Sequence, residues 1–290
     1  MYGTDSSLGG YDAIASAGFN TVMTDPYLQS LDPLRAKGLK GVVWLGAWLN
    51  APTCGFEDDD AKIRSLVSAV AGNPAIVAFY LGDEPLVGEC PGAPAMFKQR
   101  TALVHLLDPG SKTFTVIQQY EGTIARNYAP WAGSVDILGF DIYPCNKTQS
   151  TCDLAAIDSA IRSISAAGIT SYWAVIQDFQ DCFYRLPTAP ELGSEFDHWA
   201  GSGMSGYLVF SWNYQSKDAS CAGTTLETHP ENVAMLKIEN ARSFTPFAGP
   251  PAAAAHATVL RAGWLTGVLI DVVLLVLAGL TVVAARRRPR

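Results

Sequence analysis

The amino-acid sequence predicts an α/β chain, a barrel of alternating strands and helices followed by a single membrane-spanning helix. Three observations support this prediction. Short, continuous apolar runs recur through most of the chain, which is typical of strands buried on both faces of a parallel sheet. Segments with apolar residues at helical spacing separate these runs. A long apolar stretch then lies close to the C-terminus.

The apolar runs predict seven strands. They are Asn20–Asp25, Gly41–Gly46, Ile76–Leu81, Thr113–Gln118, Asp136–Asp141, Tyr172–Gln177 and Tyr207–Trp212. We expect a helix after each strand, and we expect Gly18, Gly38 and Gly168 to end helices with an open turn. Tyr2-Gly3-Thr4 is expected to be the remainder of a first strand.

Eight such units over about 250 residues predict a (β/α)8 TIM barrel with a truncated first strand. The alternative is a doubly wound open sheet, which usually carries a glycine-rich phosphate turn after its first strand, and no G-x-G-x-x-G occurs here. The predicted barrel covers residues 1–243. Residues 244–261 are rich in Pro and Ala and are expected to form a linker.

Residues 262–285 are predicted to form a transmembrane helix, because they include a single charged residue, Asp271, and a span needs about 20 apolar residues. Residues 286–290 hold four arginines and are expected to stay cytoplasmic, which places the barrel outside the cell. A buried soluble helix and a glycolipid anchor are the alternatives. The chain opens without the apolar run of an export signal, so we expect the natural start to lie upstream of Met1.

The charge balance argues against a nucleic-acid partner. The net charge is −7, and without Arg261, the C-terminal arginines and Asp271 the remaining 15 basic and 26 acidic residues give residues 1–260 a charge near −11. Such an acidic surface disfavours anionic polymers. No cofactor motif and no metal-ligand spacing is found in the sequence.

All six cysteines precede the predicted span, and an even number in an exported domain predicts disulfides. Fifteen pairings are possible. We prefer Cys54–Cys90, Cys145–Cys152 and Cys182–Cys221, because each pair then joins neighbouring loops or closes one loop. Asn146-Lys147-Thr148 is also a glycosylation sequon, which matters only in a eukaryote.

In a barrel of this kind the active site forms at the carboxyl ends of the strands. Carboxylates and aromatic residues dominate those positions, which suits sugar chemistry, because aromatic rings stack on sugars and a paired acid and base cleave glycosidic bonds. The candidates are Asp25, Trp44, Trp48, Asp83, Glu84, Glu121, Asp141, Tyr143, Gln177, Asp178 and Trp212.

The run Asn73 to Pro85, ending Gly-Asp-Glu-Pro, resembles the fourth strand of the large glycoside hydrolase clan with (β/α)8 barrels. There an Asn-Glu-Pro ends the strand, and the resemblance implies that Glu84 is the general acid. Trp212, in Phe-Ser-Trp-Asn, resembles the aromatic residue that floors the sugar subsite after the eighth strand. The resemblance implies an oligo- or polysaccharide substrate.

Two positions depart from the pattern of that clan. Asp83 replaces the Asn, and Gln177 stands where the clan has its nucleophilic Glu at the end of the seventh strand. Asp178 is adjacent, but on a strand its side chain points to the opposite side. Three possibilities follow: an inverting mechanism with Glu84 as acid and Asp141 or Glu121 as base, a substrate-assisted mechanism, or sugar binding without hydrolysis.

In the substrate-assisted mechanism Asp83 orients an acetamido group and Tyr143 holds its oxygen. Structural roles are the alternatives for several candidates. Asp83 caps the next helix, Asp141 binds loop amides, or Trp44 and Trp48 pack in the core. A cell-surface interaction protein that ignores sugars is a further functional alternative.

Overall fold

A computed structural model describes residues 2–4, 10–118, 127–213 and 219–242. Eight parallel strands close a barrel in the order β1-β8-β7-β6-β5-β4-β3-β2. The strands are β1 (Tyr2–Thr4), β2 (Thr21–Thr24), β3 (Lys40–Trp44), β4 (Ile76–Asp83), β5 (Lys112–Gln118), β6 (Ile137–Asp141), β7 (Tyr172–Gln177) and β8 (Gly206–Phe210). The predicted α/β barrel is therefore confirmed, and each predicted strand agrees with an observed one to within two residues.

The short β1 closes the barrel. Its residues pair with β8 on one side and with β2 on the other, for example Gly3 with Leu208 and with Thr21. The prediction that Tyr2-Gly3-Thr4 is the remainder of a first strand is confirmed.

Helices follow most of the strands. They are α1 (Tyr11–Ser16), α2 (Leu28–Ala36), α3 (Asp60–Val70), α4 (Ala93–Leu107), α5 (Ala155–Ala166), α6 (Ala189–Ala200) and α7 (Pro230–Ala241). The exception is β5: the described residues between β5 and β6 contain a single 3₁₀ turn, Ala129–Trp131, in place of the expected α-helix. Gly18, Gly38 and Gly168 have positive φ angles at helix ends, as expected.

Two apolar clusters account for the stability of the barrel. The wall packs against the helices, whereas the interior is filled by side chains that include Tyr80, Phe114 and Trp173. Phe114 lies between the other two rings, with centroids 4.9 Å from Tyr80 and 5.2 Å from Trp173. Burying each large apolar side chain contributes about 1.5–3 kcal/mol. This filling occupies the barrel interior below its carboxyl end.

Three disulfides tie together the loops at the carboxyl ends of the strands. Cys54–Cys90 joins the loops after β3 and β4, Cys145–Cys152 closes a turn after β6, and Cys182–Cys221 joins the loops after β7 and β8. The preferred pairing is confirmed. A short hairpin of Trp48–Leu49 and Gly55–Phe56 lies in the first of these loops.

The predicted linker 244–261, transmembrane helix 262–285 and tail 286–290 lie outside the described residues. Within the described ranges, no helix combines the length and the apolar character that a bilayer crossing requires.

Candidate functional site

A cavity of about 530 Å³ opens at the carboxyl end of the barrel. Its volume lies within the usual range of small-molecule sites, about 300–1,000 Å³. Residues from β2 to β8 and from the loops after β6 and β7 line it. They are Met23, Trp44, Tyr80, Asp83, Glu84, Val116, Gln118, Asp141, Tyr143, Asn146, Val175, Phe179, Asp181, Phe183, Tyr184, Leu208, Val209 and Phe210.

The end of β4 directs two consecutive carboxylates into this cavity. On a regular strand, neighbouring side chains point to opposite faces. Here the register between β4 and β5 shifts between Tyr80 and Asp83, and the Cα–H of Gly82 faces Trp48 and Phe97 outside the barrel. This bulge turns Asp83 inward.

Glu84 then adopts a left-handed backbone conformation, with φ 45°, and also faces the cavity. A non-glycine residue in this region costs roughly 1–3 kcal/mol and needs support from its surroundings. The Glu84 amide donates to the Val116 carbonyl at 3.2 Å, and Asn50 Nδ2 donates to the Glu84 carbonyl at 3.0 Å. The alternative role of Asp83 as a helix cap is wrong, because α4 begins only at Ala93.

Each carboxylate has a fixed partner. The Tyr80 hydroxyl donates to Asp83 Oδ1, and Gln118 Nε2 donates to Glu84 Oε2. Asp141 lines the same cavity, and the neighbouring Glu84 carboxylate raises its pKa. Sequence analysis missed Tyr80 and Gln118, although both lie at inward-facing positions of predicted strands.

Loss of water around these groups raises their proton affinity. Asp83 is accessible from the cavity, but the surrounding protein displaces most of its hydration, and with the nearby Glu84 charge this raises its pKa to about 7. Burial raises the pKa of Asp141 well above its usual range, and the Glu84 carboxylate raises it further. Asp141 therefore keeps its proton to a higher pH than a solvated aspartic acid does.

The predicted inverting mechanism needs a base across the cavity from Glu84. An inverting hydrolase keeps its acid and base about 6.5–9.5 Å apart so that a water fits between them. Asp141 adjoins Glu84 in the cavity, and its role as that base stays a prediction. The other base considered, Glu121, lies outside the described residues.

Aromatic rings form the walls of the cavity. Trp44 packs edge-on against Tyr80, with centroids 4.8 Å apart, and is half-buried at the cavity surface. Tyr143 contacts Phe179 at 5.0 Å and stacks on Phe210 at 6.3 Å. Trp44 and Tyr143 therefore lie where the sequence predicted them. Burial raises the pKa of the Tyr143 hydroxyl, with nearby Asp141 adding to the effect, so this hydroxyl is available as a hydrogen-bond donor.

Trp48 and Trp212 do not line the cavity. Trp48 is 6% exposed and packs between the barrel wall and α4, against Phe56 and Phe97. Its Nε1 donates to Asn50 Oδ1, so it helps to hold the residue that supports Glu84. The sequence alternative of a packing role for Trp48 is confirmed.

Trp212 is buried because β8 ends earlier than predicted, at Phe210. It packs edge-on against Phe19 in the cluster outside the barrel. Phe210, two residues earlier, lines the cavity instead. The sugar-facing role expected for Trp212 is therefore wrong.

Gln177 is fully buried at the end of β7, and its amide holds two loops together. Oε1 accepts from the Cys145 amide at 2.9 Å, while Nε2 donates to the carbonyls of Cys145 and Arg185 at 3.3 and 2.9 Å. It is not among the lining residues of the cavity, so its predicted role in substrate binding is replaced by a structural one.

Asp178 points away from the barrel interior, as the alternation of a strand requires. Asn232 Nδ2 donates to Asp178 Oδ1 at 2.8 Å, and burial raises the pKa of Asp178 to about 7. Glu195 lies nearby on α6, and burial also raises its pKa. The predicted role of Asp178 in substrate binding is therefore wrong.

Asp25 is exposed after β2 and does not line the cavity, so the structure does not bring it into the site. Asp59 caps α3, with its side chain accepting from the Lys62 amide. Among the described residues no cluster of His, Cys, Asp and Glu has the arrangement of a metal site.

The loop after β7 supplies residues that no sequence signal identified: Phe179, Asp181, Phe183 and Tyr184. Asp181 Oδ1 accepts from the amides of Phe183 and Tyr184 at 2.7 and 2.8 Å. The Phe183 ring is 67% exposed at the rim. Their approach to the cavity depends on loop geometry, which periodicity does not encode.

Comparison with solved structures identifies the fold. A β-galactosidase from the psychrophilic Marinomonas ef1 superposes with a TM-score of 0.62 at 9% identity, over 83% of this chain and 59% of its own. An endo-1,4-β-D-mannanase from Thermotoga petrophila RKU-1 superposes with a TM-score of 0.55 at 10% identity, over 82% of this chain and 98% of its own. A Faecalibacterium prausnitzii β-glucuronidase gives 0.54 at 15% identity, over 81% and 45%.

These three glycosidases share the barrel fold with this chain. The chain spans little more than half the length of the Marinomonas enzyme. No protein-family model and no curated protein sequence matches it.

Proposed function

We propose that this protein is a glycoside hydrolase that cleaves O-glycosyl bonds of an oligo- or polysaccharide, with Glu84 as the general acid. The observation that carries the proposal is the neighbouring pair of Glu84 and Asp141 in an aromatic-walled cavity at the carboxyl end of the barrel. The glycosidase fold supports the same assignment.

Proton storage is the chemical role of the pair. Two neighbouring carboxyl groups do not both ionise readily, and the raised pKa of Asp141 favours retention of a proton at this site. Gln118 fixes the orientation of the Glu84 carboxyl. Glu84 then transfers the proton to the glycosidic oxygen as the bond to the sugar breaks.

Sugar recognition is assigned to the surrounding groups. Trp44, Tyr143 and Phe210 offer ring surfaces to the apolar faces of a sugar, and Asp83 accepts or donates hydrogen bonds to its hydroxyls. Because Asp83, Glu84 and Tyr143 line one cavity, the substrate-assisted mechanism remains an alternative for 2-acetamido sugars.

A second candidate function is sugar binding without hydrolysis. It is favoured by Gln177, because the end of β7 carries an amide committed to backbone contacts where the resembling clan has its nucleophile. This candidate predicts glycan affinity with no product.

We further propose that the barrel is extracellular and anchored by residues 262–285, with the C-terminal arginines in the cytoplasm. The apolar run and the basic tail support this. Three disulfides, which persist in oxidising compartments, support it as well. Fractionation and protease protection of intact cells test it: recovery in the soluble fraction contradicts the anchor.

The function is tested by incubating the barrel with a panel of 4-nitrophenyl glycosides and plant or microbial polysaccharides, followed by product analysis. We expect wild type to release sugar from at least one of them and Glu84→Gln to bind the cleaved polysaccharide without turnover, because its sugar leaving group needs an acid. Glu89→Gln is the matched control, because Glu89 is exposed in the same loop and does not line the cavity. Binding without product by wild type supports the second candidate, and neither binding nor product contradicts both.

A further inference from the structure

We propose that Asp181 is the second catalytic carboxylate, the base that activates the attacking water; this inference rests on the proposed function. It supplies the group that Gln177 cannot provide at the end of β7. Asp181 lies four residues beyond that position and lines the same cavity as Glu84.

The barrel order places Asp181 away from the acid. Glu84 follows β4 and Asp181 follows β7, with β5 and β6 between them in the ring of strands. Asp83 and Asp141 are the direct neighbours of Glu84, whereas Asp178 points outside. Among the described carboxylates that line the cavity, Asp181 is therefore the one presented from the β7 side.

The loop holds the Asp181 carboxyl rigidly. Two amides donate to Oδ1, and in the described part of the chain no hydrogen bond to Oδ2 is found. The Asp181 amide donates to the Tyr184 carbonyl at 3.1 Å, and Lys147 Nζ donates to the Asp181 carbonyl at 3.2 Å. The adjacent Cys182 is cross-linked to Cys221. The loop thus holds Oδ1 of Asp181, and Oδ2 is the oxygen that would accept the proton from water.

The step balances without a cofactor. Asp181 takes a proton from water as the water oxygen bonds to the anomeric carbon, the glycosidic C–O bond breaks, and the leaving oxygen takes the proton of the Glu84–Asp141 pair. The anomeric configuration inverts. We assign a base and not a nucleophile because Asp181 belongs to the loop beyond the end of β7, whereas the nucleophile of the resembling clan ends the strand itself.

The Asp181→Asn variant removes the base but keeps the loop conformation, because the amide oxygen of Asn can accept the same two backbone hydrogen bonds. With a 2,4-dinitrophenyl glycoside of the best panel sugar, we expect kcat to fall on the order of 100-fold or more, with KM and melting temperature unchanged. Asp153→Asn, exposed after β6, is the control. Glu84→Gln keeps most of its activity on this substrate, since dinitrophenolate leaves without an acid.

Azide provides a second test of Asp181 as the base. It attacks without losing a proton, so sodium azide should restore turnover by Asp181→Ala and yield a glycosyl azide of inverted configuration by NMR. Full activity of Asp181→Asn, no azide effect, or retained configuration in the wild-type product overturns the inference while leaving Glu84 as acid intact. If wild type cleaves no glycoside, the proposed function fails and Asp181 as base fails with it.

Discussion

Asp141 and Glu84 are neighbouring carboxyl groups at the mouth of the barrel, and the Glu84 carboxylate raises the pKa of Asp141. The pair joins a residue at the end of β6 to a residue just beyond β4, so two strands that are not neighbours position one proton. A lone carboxylic acid would lose that proton well below neutral pH. Their proximity therefore explains how a carboxyl group can act as an acid at neutral pH.

Asp141→Asn should move the alkaline limit of activity to lower pH by about one unit or more, because the pair loses the like charge that makes it retain a proton. The check is a profile of kcat/KM between pH 4 and 9 for wild type, Asp141→Asn and the exposed control Asp153→Asn. An alkaline limb that stays in place in Asp141→Asn contradicts the shared proton.

Gln177→Glu should destabilise the barrel by about 2–4 kcal/mol and should not increase hydrolysis. The carboxylate lacks the amide donors that now reach the carbonyls of Cys145 and Arg185, and leaving buried acceptors unpaired is costly. Urea denaturation beside Gln99→Glu, on the exposed face of α4, measures the difference. A stable variant with raised activity shows instead that Gln177 occupies a vacated nucleophile position.

Asp178→Asn should stabilise the fold near pH 7 by roughly 3 kcal/mol and have little effect at pH 4. The pKa of Asp178 rises from 3.8 to about 7 on folding, so the folded state holds a proton that the unfolded chain has lost. Stability is full below about pH 4 and is lost as the pH rises to about 7. Denaturation midpoints at both pH values, with exposed Asp32→Asn as control, check this; equal effects at both pH values refute it.

Replacing Cys182 and Cys221 by Ser should cost about 4 kcal/mol, because the bridge closes a long loop in the unfolded chain. The matched double variant at Cys145 and Cys152, which closes a short loop, should cost about 2 kcal/mol. Thermal unfolding compares the two. We also expect the first variant to lose activity at a temperature where it remains folded, since Asp181 is adjacent to Cys182; full activity there shows that the bridge does not position the loop.

The strands could be predicted because each is buried on both faces and therefore appears as a continuous apolar run, as in Tyr172–Gln177, whose predicted and observed bounds agree. The disulfide pairing could be predicted because each pair of cysteines joins neighbouring loops or closes one loop. Local backbone geometry could not be predicted: the bulge before Asp83 and the left-handed Glu84 bring both carboxylates into one cavity, and the early end of β8 buries Trp212. Asp181 was missed because its position depends on tertiary contacts of the loop.

Dependence on the leaving group tests the role of Glu84 most directly. Turnover by wild type and Glu84→Gln is compared on the methylumbelliferyl and 2,4-dinitrophenyl glycosides of the same sugar and on the natural oligosaccharide. We predict only a small loss for both of these aryl glycosides, whose phenolates leave without protonation, and a loss on the order of 100-fold or more for the natural oligosaccharide, whose sugar leaving group needs it. An equal loss on the aryl glycosides and on the oligosaccharide would contradict Glu84 as the general acid.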